Sequence, residues 1–135
     1  MRYVAFVGRQ LFSVLFIVAS VNHFDPQTIA AAGRHGVPAA GVLVPLSGVL
    51  ALLGGLSVLV GFQTRVGAAL LALFLIPVTL LMHNFWSAVD PAVVGLEKAM
   101  FMKNVTMLGG ALFITYFGAG PLSCDALIEA QASKS

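Results

Sequence analysis

Four long apolar runs separated by short polar connections dominate this 135-residue chain. A helix needs about 20 apolar residues to cross the hydrocarbon core of a bilayer, and a chain of this length holds four such helices and little else. Inside lipid, backbone N–H and C=O groups are satisfied only in helices or closed barrels. The sequence therefore reads as one domain: an all-α, integral membrane four-helix bundle, with spans over about 3–21, 40–62, 66–82 and 96–117. The lipid bilayer is its first partner.

Composition agrees. Hydrophobic residues make up 59% and charged residues 9%, and the mean hydropathy is +0.99, too apolar for a soluble domain. The net charge of +2 forms no basic stripe, since the seven Lys and Arg are scattered from Arg2 to Lys134. Nucleic acid is excluded as a partner on that ground. Cys124 is the only cysteine, so there is no internal disulfide and no cysteine-based zinc site. The first apolar run leads into an Asn-His-Phe cluster rather than a small-residue cleavage site, so it reads as a retained span.

The connections carry the punctuation. After the first span, Asp25 suits an N-cap, Pro26 a first helical position and Gly33 a left-handed closing residue. A short interfacial helix is expected over about Pro26–Ala32. Gly36-Val37-Pro38 then turns the chain into the second span, where Ser47, Ala51 and Gly55 form a small-residue face that admits a close neighbour. Gln63-Thr64-Arg65 makes a tight hairpin into the third span, which Pro77 should kink. Trp86 suits a headgroup-level anchor. Asp90-Pro91 again resembles a helix start, although a helix from there to Phe117 exceeds the hydrocarbon thickness, so its first turns should be interfacial.

Four spans put both termini on one face and the connections after spans one and three on the other. Arg2, Arg9, Arg65 and Lys134 lie on the terminal side, against Arg34, Lys98 and Lys103 on or near the other. The excess of positive charge places the termini in the cytoplasm. Two similar clusters then share the outer face: Asn22-His23-Phe24-Asp25-Pro26, and His83-Asn84-Phe85-Trp86 with Asp90-Pro91. Matching hydropathy allows the two halves to be parallel repeats.

Ionisable residues inside spans are costly and point to function. Arg9 and Lys103 either snorkel to the headgroups or face the bundle interior. Met100, Lys103, Asn104 and Met107 fall on one helix face, which would bring Lys103 and Asn104 toward the two histidines. Imidazole accepts or donates a proton near neutral pH. A polar layer of Arg9, Asn22, His23, His83, Asn84, Lys103 and Asn104 would thus bind the carbonyls of a quinone-like head group. Three metal ligands of suitable geometry do not follow from this spacing, so no metal is assigned. Asp25 and Asp90 read as caps, and no complete catalytic set appears.

Several elements in order resemble the DoxX family of small membrane proteins: Gly8-Arg9, Asn22-His23-Phe24, Gly36-Val37-Pro38 and Gly54-Gly55. Gly61-Phe62-Gln63-Thr64-Arg65, His83-Asn84-Phe85-Trp86, Lys103-Asn104 and Gly109-Gly110 continue the series. His23 stands near a point where many relatives carry lysine, so a basic role there would pass to His23. The resemblance implies a four-helix protein of the bacterial inner membrane, linked to quinone-dependent oxidoreductase systems. The expected function is a membrane subunit binding a quinone or similar lipid-soluble ligand. Its partner would be a second copy or another membrane or redox protein. The alternatives are a non-catalytic scaffold for another enzyme and, further off, a small-molecule transporter.

Overall fold

The computed structural model describes residues 2–134. These form α1 (Arg2–Val21), α2 (Pro26–Arg34), α3 (Ala40–Val60), α4 (Thr64–Met82), α5 (Pro91–Phe117) and α6 (Cys124–Ala132). Single 3-10 turns cover Asn22–Phe24 and Phe85–Ser87. Every regular element among the described residues is helical. Among the described residues, three segments are long and apolar enough to cross a membrane: Tyr3–Phe24, Ala40–Val60 and Thr64–Ser87. α5 has the length but is not among them. Glu97, Lys98, Lys103 and Asn104 fall within it and dilute its apolar character.

Helix ends follow local chemistry. Asp25 and Asp90 each precede a proline and cap the next helix: Asp25 Oδ2 accepts from the Thr28 N–H at 3.0 Å, and Asp90 Oδ1 from the Ala92 N–H at 2.9 Å. Both clusters therefore build the same local path of helix end, 3-10 turn and Asp-capped helix start. α2 ends differently from the sequence expectation. Gly36, not Gly33, takes the left-handed conformation, with φ +85°. The Val37 N–H reaches the Ala32 carbonyl and the Gly36 N–H the Gly33 carbonyl, each at 3.1 Å. This paired closure needs its left-handed residue two places after the last helical one, so α2 runs on through Gly33 to Arg34.

α1 packs on α3, α3 on α4, and α4 on α5. Lipid gives apolar helices no hydrophobic reason to associate, so close van der Waals packing must do it. α3 is built for this on two faces. Toward α1, a Cβ on Gly55 would meet Ile17 Cγ1 at 2.9 Å, and one on Gly48 would meet His23 Cβ at 2.5 Å. Toward α4, a Cβ on Gly54 would meet the Gly67 carbonyl at 2.9 Å. Ala51 is fully buried, so Ala51 and Gly55 of the small-residue face are used within the chain. The core joins Phe16 of α1, Ala51 and Val58 of α3, Leu71, Phe74 and Leu75 of α4, and Ala111 of α5. Phenylalanines span the wider gaps: Phe16 meets Phe74 edge-on at 6.4 Å, and Phe12 lies against Gly110 of α5.

Candidate functional site

A cavity of about 310 Å³ lies between α2, α3, α4 and the turn after α1. Its walls are mostly aliphatic: Ala32 of α2, Val37 and Pro38 of the connection, Val44 and Leu50 of α3, and Val78 of α4. Leu43, Leu46 and Leu81 line it while also lying on the exposed surface of the helices. The cavity therefore borders the surface that the apolar helices would present to lipid. His23, Thr28 and Ser47 are its polar side chains.

His23 is held by its surroundings. It sits in the 3-10 turn that ends α1, over Gly48 of α3, where no larger residue fits. Its ring meets Phe74 at 5.5 Å, 61° from parallel. Its Nδ1 lies 3.0 Å from the Ala19 carbonyl. A carbonyl only accepts, so Nδ1 carries the proton and Nε2 is left toward other partners.

The other residues of the expected polar layer go elsewhere. His83 Nδ1 lies 2.8 Å from Glu97 Oε2, joining the end of α4 to the first turns of α5. Phe85, Trp86 and Phe101 pack edge-to-face beside that junction, with centroids 5.2 to 5.9 Å apart. Asn22 is exposed, and Asn84 is half-buried in the connection. Lys103 is exposed, and its ammonium turns back along α5 to Met100 Sδ at 3.5 Å. Asn104 is 4% exposed and buried in the bundle, away from the cavity lining. Helix geometry thus splits Lys103 and Asn104: neighbours in sequence lie 100° apart around the axis, so one points out and the other in.

Arg9 also leaves the layer. It lies 14 positions before His23, about 21 Å along α1 at the helical rise, and serves the opposite end of the molecule. It is 5% exposed. Nη1 donates to the Ala119 carbonyl at 3.1 Å and Nη2 to the Leu122 carbonyl at 2.9 Å. Both acceptors belong to the irregular segment between α5 and α6, where carbonyls are free of helical ladders. Beside it, Asp125 of α6 reaches back to the α3–α4 connection. Its carboxylate accepts from the Gln63 N–H at 2.8 Å and the Thr64 N–H at 3.0 Å, and its own N–H donates to the Gly61 carbonyl at 2.8 Å. α4 is therefore capped from 61 residues away in the sequence. Burial alone would raise the Asp125 carboxyl, but hydrogen bonds from Thr64 and Gln63 and the Arg9 charge hold it below the ordinary carboxylate value.

Of the seven expected residues, the cavity is lined by His23 and by none of the other six. Sequence reading passed over Ser47, Val78 and Pro38 as lining. Pro38 and Pro77 were visible as helix breakers, and both border the cavity. Among the described residues no three His, Cys, Asp or Glu side chains converge as a metal would require. The arrangement can enclose an apolar molecule and meet one polar end with an imidazole.

Comparison with known proteins bears on this geometry. The DoxX family model matches residues 4–84, a stretch that contains every lining residue. Inner membrane protein YqjF of Escherichia coli (strain K12) is 32% identical over 123 residues, covering 91% of this chain and 90% of that protein. No solved structure matches the chain.

Proposed function

Since the chain belongs to the DoxX family, we propose that it is a four-span inner-membrane protein that binds a quinone or similar lipid-soluble ligand beside His23. α5 supplies the fourth span in this reading, with its first turns and α2 lying at the interface and the termini in the cytoplasm. The inner-membrane placement follows the relative's name. The orientation follows the positive charges of the terminal side. Its partner in this reading is a second copy or another membrane or redox protein.

One observation carries the proposal: the apolar cavity with a single imidazole on its wall. Its volume lies at the lower end of the range for small-molecule sites, roughly 300 Å³ upward, and such sites pair an apolar lining with few polar groups. Leu43, Leu46 and Leu81 would let an isoprenoid tail leave toward lipid while the head stays near His23. Asn22, His83, Asn84, Lys103 and Asn104 then serve the surrounding interface and bundle, and Arg9 the opposite end.

Binding of a short-chain quinone and its quinol to the purified protein in nanodiscs tests this. Ser47→Phe should fill the cavity and weaken binding of both forms at least tenfold. Affinities for both forms that stay at the wild-type values in Ser47→Phe and in His23→Ala would sink the assignment.

A further inference from the structure

We propose that the cavity selects apolar molecules whose buried end donates a hydrogen bond, such as a phenol, alcohol or N–H group. Molecules ending in a carbonyl or an ether are disfavoured. The inference rests on the reading that the cavity holds a lipid-soluble ligand, and it follows from counting the donors and acceptors left on the walls.

Each of the three polar side chains has already spent a proton. The Ser47 hydroxyl donates to the Val44 carbonyl at 2.7 Å. The Thr28 hydroxyl donates to Asp25 Oδ2 at 3.2 Å. His23 donates its Nδ1 proton to the Ala19 carbonyl. In the neutral ring Nε2 then carries a lone pair and no proton. Pro38 and Pro77 also line the cavity and have no N–H to give. Pro77 further leaves the Leu73 carbonyl without its helical donor. What the walls retain is therefore acceptors: His23 Nε2 and the hydroxyl lone pairs.

The histidine cannot readily reverse its ring to change this pattern. Its Cβ rests against the bare backbone of Gly48, and its ring abuts Phe74. Turning the ring would also break the bond to Ala19. A hydroxyl entering the cavity exchanges its bond to water for one to Nε2. A carbonyl loses its water and gains a donor only where Ser47 or Thr28 gives up the bond it already makes, and a buried acceptor left unpaired typically costs tenfold or more in affinity. Of the two forms of a quinone-like couple, the dihydroxy form is therefore held more tightly than the dicarbonyl form.

The test compares 4-nonylphenol with its methyl ether, 4-nonylanisole, which differ at the head by one donor. Saturable binding to the full-length protein in nanodiscs is measured by calorimetry against empty nanodiscs, at about pH 8, above the ordinary imidazole range. The phenol should bind at least tenfold tighter. His23→Phe should bring the two within about twofold, mainly by weakening the phenol. If that variant does not fold, His23→Gln should narrow the preference likewise, because its amide offers both donor and acceptor. Equal wild-type affinities would overturn the donor preference while leaving the cavity as a ligand site. Absence of saturable binding by either probe, with the protein intact in a thermal melt, would overturn both.

Discussion

Arg9 shows how backbone carbonyls can satisfy a charge carried by an apolar helix. Its guanidinium fork meets two carbonyls that no helix uses, and bonds from a charged donor are among the stronger ones. A lysine has no planar fork and reaches less far, so Arg9→Lys should lose at least one of these bonds. We expect a stability loss of about 1–3 kcal/mol, read as a lower melting temperature in detergent. Gly61 beside it has φ +73°, and an added Cβ would meet the Arg9 guanidinium and lie 2.5 Å from Ser123 Cβ. Gly61→Ala should therefore destabilise by more than the roughly 1 kcal/mol typical of a strained turn alone. That Arg9 was unusual could be read from the sequence. Its partners could not, because they lie 110 and 113 residues further on, and hydropathy carries no information about contacts at that separation.

The helices themselves were largely legible, because membrane thickness and caps act locally. Asp25-Pro26 and Asp90-Pro91 start helices as their chemistry dictates. Gly33 misled because α2 could end at either of two glycines, and only the paired bonds to Ala32 and Gly33 choose Gly36. α3 makes a sharper case at this scale. Gly48→Ala would put a methyl against His23 Cβ and 3.2 Å from the Ser20 carbonyl, forcing α1 outward. It should lower the melting temperature and weaken binding of the phenol probe together, whereas Gly109→Ala, with open space around it, should change neither. The contact of α6 with α4 should depend on pH, because the Asp125 carboxylate makes it. The native Asp125 carboxyl titrates below its ordinary value, so its stabilising contribution is complete above the unfolded pKa and fades as pH falls through the lowered native one. Thermal melts from neutral to acid pH should show wild type losing stability more steeply than Asp125→Asn.

At the scale of the molecule, the two similar clusters part company. His23 turns inward over Gly48, while His83 pairs with Glu97 at the α4–α5 edge. Sequence could set both on one membrane face but not say which way each ring turns, since that is decided by the neighbouring helix. The side chains of His83 and Glu97 remain 22% and 24% exposed, and partly exposed pairs contribute up to about 1 kcal/mol. His83→Ala should accordingly cost little stability and leave ligand binding unchanged; a tenfold loss of affinity would return His83 to the site. The opposite end of the molecule has a consequence for biogenesis. The carbonyls of Ala119 and Leu122 and the carboxylate of Asp125 leave the ribosome after all the long helices. Until they arrive, the α1 guanidinium and the first amides of α4 must turn to water or lipid headgroups instead. This end of the bundle is therefore closed by the last part of the chain to be made, and a chain ending before Ala119 should melt at a lower temperature than the full-length protein.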